Sequence, residues 1–280
     1  MRRDRPALSL RHAVALGLAQ GPTELLPVSS SAHTSLIPWL AGWPYGELDA
    51  ELRKSFEVAL HAGAGLALAI AMRKELIASP LSLNGRLAGV MALSLAPPAL
   101  AGYALERFIE RRLGGPRTIA AGLIGGAVTM ALADARPGDA SRRREEASLR
   151  DGLALGLAQA VALIPGVSRN GATLTAARAR GFGRADAQTL SWHAALPVIL
   201  GASVLRGPRL VRRETPRWVR GAMAAGGTAA FLSTLASARL LRRPQHAERS
   251  LLPFSFYRCL LAVLVIRRRR DPSIARRTQI

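Results

Sequence analysis

The sequence predicts an all-α, polytopic integral membrane protein, and three observations lead to that fold class. Apolar residues make up 49% of the 280 residues, and they are gathered into runs rather than spread evenly along the chain. Arginines are concentrated between those runs, where loops at a membrane surface would lie. Prolines and polar side chains interrupt two of the hydrophobic segments in a matching way, which is typical of helices broken inside a membrane.

Six runs of mostly apolar residues have about the length of a membrane helix. Crossing the hydrocarbon core takes about 20 helical residues, with a lower limit near 17. Several of the runs are close to that limit, so the whole series predicts the polytopic fold and no single run decides it. The runs cover residues 55–72, 87–105, 118–135, 187–205, 218–238 and 251–266.

The formal net charge of +21 would indicate a nucleic-acid partner in a soluble protein. Here the basic residues occupy the connections between apolar runs, for example residues 142–144 and 267–270, and aromatic residues make up only 5% of the chain. We therefore expect basic loops that face membrane lipids, and no nucleic acid. Because almost every connection is basic, the positive-inside rule gives no clear orientation.

The N-terminus and the cysteine content place few limits on the compartment. Arg2, Arg3 and Arg5 precede an apolar stretch, a pattern that resembles a signal peptide. We expect no cleavage, because the stretch leads directly into a polar motif and no small-x-small site precedes that motif. Cys259 is the only cysteine, so an intrachain disulfide is impossible.

The segment at residues 20–33 brings polar chemistry into a hydrophobic region. It carries an amide, a carboxylate, three serine hydroxyls and an imidazole, which are costly in apolar surroundings unless they are paired or face a water-filled cavity. Gly21-Pro22 and Pro27 remove helix donors, so we predict a helix, a break and a second helix over residues 7–43. A re-entrant hairpin fits this pattern better than two full spans.

The second half of the chain repeats this arrangement. Residues 17–20 recur as Gly-Leu-Ala-Gln at 156–159, and the Leu-Pro-Val-Ser of residues 26–29 recurs as Ile-Pro-Gly-Val-Ser at 164–168, with one inserted glycine. Three apolar runs follow each copy. A charged connector at 137–150 separates the halves, so the chain reads as an internal repeat.

An odd number of crossings between the two copies makes them enter from opposite faces, as an inverted repeat. We predict a single membrane domain, 1–280, made of repeats 1–140 and 141–280. Each repeat would be a re-entrant helical hairpin plus about three transmembrane helices. Folds of this kind place their site near the midplane, where the broken helices meet.

If the two breaks meet, they bring a set of polar side chains together. A guanidinium inside a membrane protein needs an anionic partner, and the planar fork of Arg169 suits phosphate oxygens. Gln20 and Glu24, four residues apart, could hold a divalent cation through oxygen. Ser30 could attack phosphorus, with His33 as base or acid. The whole set is Gln20, Glu24, Ser29, Ser30, His33, Ser168, Arg169, Asn170 and Thr173.

Each of these side chains also has a purely structural interpretation. A serine in a broken membrane helix often satisfies a freed backbone group, which applies to Ser29 and Ser31. Asn170 and Thr173 could cap a helix, and Glu24 could cap a half-helix. The combination is more specific than any one member, and it favours an anion-binding site.

Two polar segments of the sequence resemble the signatures of a known family. Residues 20–33, Gln-x-x-x-Glu followed by Leu-Pro-Val-Ser-Ser-Ser-Ala-His, resemble the first signature of the bacterial undecaprenyl-diphosphate phosphatase (bacitracin-resistance) family. Residues 165–173, Pro-Gly-Val-Ser-Arg-Asn-Gly-Ala-Thr, resemble its second signature. Residues 55–58 and 253–258 also resemble segments of this family, so the resemblance covers most of the chain.

The resemblance implies an integral enzyme of the bacterial inner membrane, with an active site open to the outer face. Such an enzyme removes the terminal phosphate from undecaprenyl diphosphate, a polyprenyl diphosphate lipid, and so recycles the carrier for peptidoglycan synthesis. It implies a divalent cation, Mg²⁺ or Ca²⁺. Membrane lipids are the expected surroundings, and a homodimer is a candidate assembly.

The family's functional residues carry over by motif position. Glu24, Ser30, His33 and Arg169 are the expected catalytic residues, and Gln20 joins Glu24 at the metal. Gln20 is a mild departure that weakens metal binding by one charge, and Asn170 stands where the family usually has serine. The expected phosphate-binding residues are Ser29, Ser31, Ser168, Asn170 and Thr173.

The resulting hypothesis is a phosphoanhydride hydrolase, in which attack by Ser30 and direct attack by water both stay open. The alternative is a membrane transporter or flippase for a phosphorylated lipid or another anion, because inverted repeats and broken helices also build secondary transporters. Release of phosphate without movement of lipid would separate the two.

Overall fold

The computed structural model describes residues 8–74, 85–135, 142–212, 216–241 and 249–269, and within these ranges the regular structure is helical. Two short 3-10 turns, Pro44–Glu47 and Arg144–Glu146, lie in connections. The α-helices in these ranges are α1 (Leu10–Leu25), α2 (Ser30–Ala41), α3 (Ala50–Ala71), α4 (Gly85–Leu113), α5 (Pro116–Asp134), α6 (Leu149–Val161), α7 (Arg169–Ala179), α8 (Arg184–Arg212), α9 (Arg217–Leu241) and α10 (Leu252–Arg269).

The all-α class is confirmed, and the six apolar runs fall in α3, α4, α5, α8, α9 and α10. Within the described ranges, Ala88–Leu105 and Pro116–Asp134 are long and apolar enough to cross a membrane. Several large apolar side chains point away from the protein, including Tyr103 at 93% exposure and Phe256 at 72%. Such surfaces suit a lipid environment better than water.

Some sequence predictions lie outside the described residues. These are the signal-peptide-like N-terminus with Arg2, Arg3 and Arg5, the first part of the connector at 137–141, and the last residue of the basic run at 267–270. The inverted relation of the two repeats stays a prediction.

The chain divides into two compact units, and each takes segments from both predicted repeats. The first consists of Met1–Leu25, His33–Asn84 and Ala195–His246. In it, α1 packs on α3 and α9 around a core that includes Leu16, Phe56 and Val219.

The second unit consists of Leu26–Ala32, Gly85–Ala194 and Ala247–Ile280. In it, α6 packs on α4 and α7, while α5 packs on α7 and α10. Its core includes Val90 and Leu155. Both breaks of the polar segments, residues 26–29 and 162–168, belong to this unit.

The repeated Gly-Leu-Ala-Gln glycines have the same structural task in the two units. A Cβ on Gly17 of α1 would collide with the carbonyl oxygen of Gly226 in α9, and a Cβ on Gly156 of α6 would collide with that of Leu93 in α4. Close approach of helix backbones requires small residues at such contacts. The sequence repeat is therefore also a repeat in packing.

One expectation about the first helix is wrong. Gly21-Pro22 does not interrupt it, because α1 runs through Pro22 to Leu25. A serine from α9 bridges the turn next to Pro22: Gly21 N–H donates to Ser233 Oγ at 3.0 Å, and that hydroxyl donates to the carbonyl oxygen of Gly17 at 3.0 Å. Hydroxyl groups that satisfy backbone groups beside a proline help a membrane helix to accommodate it. The break comes at Pro27, as predicted.

Candidate active site

The first break, residues 26–29, ends at a serine that caps the next helix. Ser29 has a φ of 75°, in the left-handed region that residues other than glycine rarely adopt. Its buried Oγ accepts from the N–H of Ala32 at 3.4 Å and lies 3.3 Å from Ser31 Oγ. Ser30 is the first residue of α2. Ser29 therefore shapes the turn that presents Ser30.

The second break, residues 162–168, ends in the same manner. Ser168 is the N-cap of α7, and its Oγ accepts from the N–H of Gly171 at 3.1 Å. Gly166 within the break has a φ of 94°. Arg169 is the first residue of α7, so Ser30 and Arg169 occupy equivalent positions after matching serine caps. The first N–H groups of a helix lack intrahelical partners and favour anions.

Asn170 and Thr173 are buried in a polar network that fastens α7 to α8. Asn170 Oδ1 accepts from Gln188 Nε2 at 3.2 Å and from Ser191 Oγ at 2.6 Å. Thr173 Oγ1 bonds to Ser191 Oγ and donates to the carbonyl oxygen of Arg169 at 2.9 Å. Sequence reasoning missed Gln188 and Ser191, although two polar residues three apart in an apolar run were a signal. Phosphate binding by Asn170 and Thr173 stays a prediction.

In the first unit, the structure brings Gln20 and Glu24 together and adds a third side chain. Gln20 is buried, and its Nε2 donates to Glu24 Oε2 at 2.9 Å. His61 of α3 places Nδ1 3.2 Å from Gln20 Nε2 and 3.3 Å from Glu24 Oε2. His61 is not among the site residues that the sequence predicts.

The donor set of this cluster suits a cation that is shared with a substrate. Among the described residues, no group of three or more histidine, cysteine, aspartate or glutamate side chains could hold a metal ion. Glu24 supplies one carboxylate, and Gln20 can supply an amide oxygen if its amide turns. Mg²⁺ is commonly held by one or two carboxylates together with substrate phosphates. The two side chains fit that pattern.

The predicted site residues fall in both units. Gln20, Glu24 and His33 belong to the first unit, and His33 is buried. The second unit holds Ser29, Ser30, Ser31, Ser168, Arg169, Asn170 and Thr173. In that unit the two breaks meet around the side chain of Arg258 in α10.

The chain is similar to proteins of one family along most of its length. The family model described as Bacitracin resistance protein BacA matches residues 13–264. An undecaprenyl-diphosphatase of Geobacter metallireducens is 40% identical over 268 residues, which cover 91% of this chain and 96% of the relative. Undecaprenyl-diphosphatases of Geobacter sulfurreducens (39% identity, 92% and 98% covered) and Pelobacter propionicus (36% identity, 92% and 97% covered) are also similar.

Proposed function

Because the chain belongs to the Bacitracin resistance protein BacA family, we propose that it hydrolyses undecaprenyl diphosphate to undecaprenyl phosphate and inorganic phosphate. The product would return to peptidoglycan synthesis as a lipid carrier. The observation that carries the proposal is the matched pair of breaks, in which Ser30 and Arg169 open their helices at equivalent positions. One is a hydroxyl that can attack phosphorus, and the other is a cation that can hold a phosphate.

Arg169 is the proposed ligand of the terminal phosphate. A guanidinium can donate two parallel hydrogen bonds to phosphate oxygens, and the N–H groups at the start of α7 add further donors. The start of α7, which carries these donors, is fixed by the serine cap and by the network that holds α7 on α8. Fixed donors stabilise the charge that develops on the phosphoryl oxygens as the anhydride bond breaks.

Ser30 is the proposed nucleophile, and His33 is the proposed proton carrier. Ser30 Oγ would form a bond to the terminal phosphorus while the bridging P–O bond breaks and undecaprenyl phosphate leaves. His33, one turn later in α2, would take the serine proton. Water would then attack the phosphorus of the phosphoserine, the Ser30 Oγ–P bond would break, and His33 would return the proton to Oγ as inorganic phosphate leaves. In the other route, water attacks the terminal phosphorus directly and Ser30 only binds the phosphate.

Glu24 and Gln20 are the residues that would hold Mg²⁺ or Ca²⁺. When bound, such a cation would neutralise part of the diphosphate charge. The approach of Gln20 Nε2 to Glu24 Oε2, 2.9 Å apart, supports this assignment because the two side chains are directed to one point, where a turned Gln20 amide would place its oxygen. Ser29, Ser31, Ser168, Asn170 and Thr173 would contribute further to phosphate binding, as their motif positions imply.

The proposed location is the bacterial inner membrane, with the site open to the outer face. The apolar helices and the exposed apolar side chains of α4 and α10 support a membrane location. The resemblance of the two signatures to those of the family supports a site that opens to the outer face, and it supports a homodimer as the assembly. Labelling of an engineered cysteine near α2 in intact cells would test the face, and cross-linking in detergent would test the homodimer.

The test of this function is phosphate release from undecaprenyl diphosphate by the purified protein in detergent. We expect equal amounts of inorganic phosphate and undecaprenyl phosphate, loss of release with EDTA, and recovery with Mg²⁺ or Ca²⁺. The same protein in vesicles, scored for movement of lipid between leaflets, tests the transporter alternative. Lipid movement without phosphate release, from a sample shown to be folded, would overturn the hydrolase proposal.

A further inference from the structure

Arg258 of α10 is a fully buried arginine whose partners are backbone carbonyl groups. Its exposure is 0%, and it is among the largest buried side chains of the described residues. Nη2 donates to the carbonyl oxygens of Gly166 at 3.2 Å and Gly122 at 3.3 Å, and Nη1 donates to that of Pro27 at 3.5 Å. Buried guanidinium groups are usually paired with carboxylates, and no such pair of Arg258 occurs in the described ranges.

Two of the three carbonyl groups belong to the two breaks. Pro27 lies in the first break and Gly166 in the second, and all the residues of this cluster lie in the second unit. Pro27 stands three positions before Ser30, and Gly166 stands three positions before Arg169. One guanidinium therefore holds equivalent points of both breaks, where carbonyl groups have left the helical hydrogen-bond pattern.

The surrounding backbone is built around this side chain. A Cβ on Gly126 of α5 would collide with Nη2 of Arg258, and a Cβ on Gly171 of α7 would lie 2.9 Å from Nη1. Gly125, next to Gly126, faces open space. The space for the guanidinium thus depends on glycines that any larger residue would close.

We propose that Arg258 is a positioning residue, which fixes the two breaks against each other and so sets the places of Ser30 and Arg169. This inference rests on the proposed function for its catalytic consequence. The guanidinium is too deeply buried to touch a phosphate, so it acts through the backbone. Misplacement of a catalytic group by about 1 Å can cost about 100-fold in rate, which gives the interaction catalytic importance.

The first test compares hydrogen exchange in the two breaks and needs no activity. Arg258→Met keeps a long apolar side chain but removes all five donors. We expect faster exchange of backbone amides at 26–32 and also at 162–171. Ser255→Ala, a buried position on the same helix, is the control and should leave both segments unchanged. Faster exchange in neither segment, or in one only, would overturn the proposal.

The second test is a double-mutant cycle on kcat for phosphate release. Gly126→Ala should lower kcat about tenfold in the wild-type background, because its methyl group displaces the guanidinium, whereas Gly125→Ala should have no effect. Arg258→Met should lower kcat about 100-fold with a smaller change in KM. In the Arg258→Met background, Gly126→Ala should cause no further loss, since the group that it displaces is gone.

Two outcomes of the cycle would refute the positioning role. One is an Arg258→Met protein with a kcat within about twofold of wild type, and the other is losses from the two substitutions that multiply as independent effects do. A wild-type protein that releases no phosphate would refute the proposed function instead. The exchange experiment would then still decide whether Arg258 holds both breaks.

Discussion

Glu24 Oε2 and His61 Nδ1 lie 3.3 Å apart in the first unit. This contact joins α3 to the two α1 side chains that were predicted to hold a cation. It makes the cluster a set of one carboxylate, one amide and one imidazole, in which only Glu24 carries a negative charge.

Binding of Mn²⁺, followed by electron paramagnetic resonance, should depend on Glu24 more than on its neighbours. Glu24→Gln removes the only carboxylate and should weaken Mn²⁺ binding about tenfold or more, the size of effect seen for residues around a metal. Glu47→Gln, at an exposed turn, is the matched control. Equal affinities of wild type and Glu24→Gln would show that the cation binds elsewhere.

Alanine at Gly17 or Gly156 should destabilise the protein by about 1–3 kcal/mol, the usual cost of overpacking. Each Cβ would collide with the carbonyl oxygen of a neighbouring helix, at Gly226 and Leu93 respectively. Thermal unfolding in detergent measures the effect. Gly221→Ala is the control, because that position faces open space and should be neutral or slightly stabilising. An unchanged midpoint for both variants would mean that these helix contacts are looser than described.

Ser233→Ala should destabilise the protein by about 1–3 kcal/mol, since it leaves buried backbone groups without a partner. The N–H of Gly21 and the carbonyl of Gly17 would both lose the bridging hydroxyl. Ser203→Ala offers a comparison, because Ser203 Oγ donates to the carbonyl oxygen of Ile199 in its own helix. If the two variants unfold at the same temperature, α1 does not need the bridge.

Asp151 should make folding stability depend on acid pH. Burial raises the pKa of its carboxyl, but hydrogen bonds from Arg142, Arg180 and Ser148 outweigh this and hold the pKa well below its ordinary value. A depressed folded-state pKa contributes stability that is present above the unfolded pKa of about 3.9 and is lost as pH falls towards the folded value.

Asp151→Asn should therefore lower the free energy of unfolding at neutral pH by about 1.5–3 kcal/mol, which a lower unfolding temperature would show. Below about pH 4 this variant should lose less stability than wild type does. Glu145→Gln is the control, because the pair of Glu145 with Arg144 is exposed and such pairs contribute about 1 kcal/mol or less. Parallel acid-unfolding curves for wild type and Asp151→Asn would contradict the assignment.

Much of the fold could be read from the sequence because it depends on apolar runs and on proline. The six runs and the break at Pro27 needed only local information. The continuity of α1 through Pro22 could not be predicted, because the hydroxyl that bridges the turn next to Pro22 comes from Ser233, more than 200 positions away. Local rules for proline give the usual result, and a tertiary contact overrides it.

The site could be predicted only in part, for a related reason. Glu24 and Gln20 share a helix face, so their meeting follows from spacing. The approach of His61 depends on how α3 packs beside α1. The role of Arg258 could not be predicted from the sequence at all, because its partners are carbonyl groups that every residue possesses. No pattern of residue types could have identified them.

The measurement that tests the central claim most directly is phosphate release from undecaprenyl diphosphate by Arg169→Ala beside Arg117→Ala, an exposed arginine of α5. Loss of a group that stabilises developing charge typically costs 100-fold or more, so Arg169→Ala should fall by at least about 100-fold while Arg117→Ala keeps the wild-type rate. A folded Arg169→Ala protein that retains a rate within about threefold of wild type would contradict the account, because the second break would then not hold the phosphate.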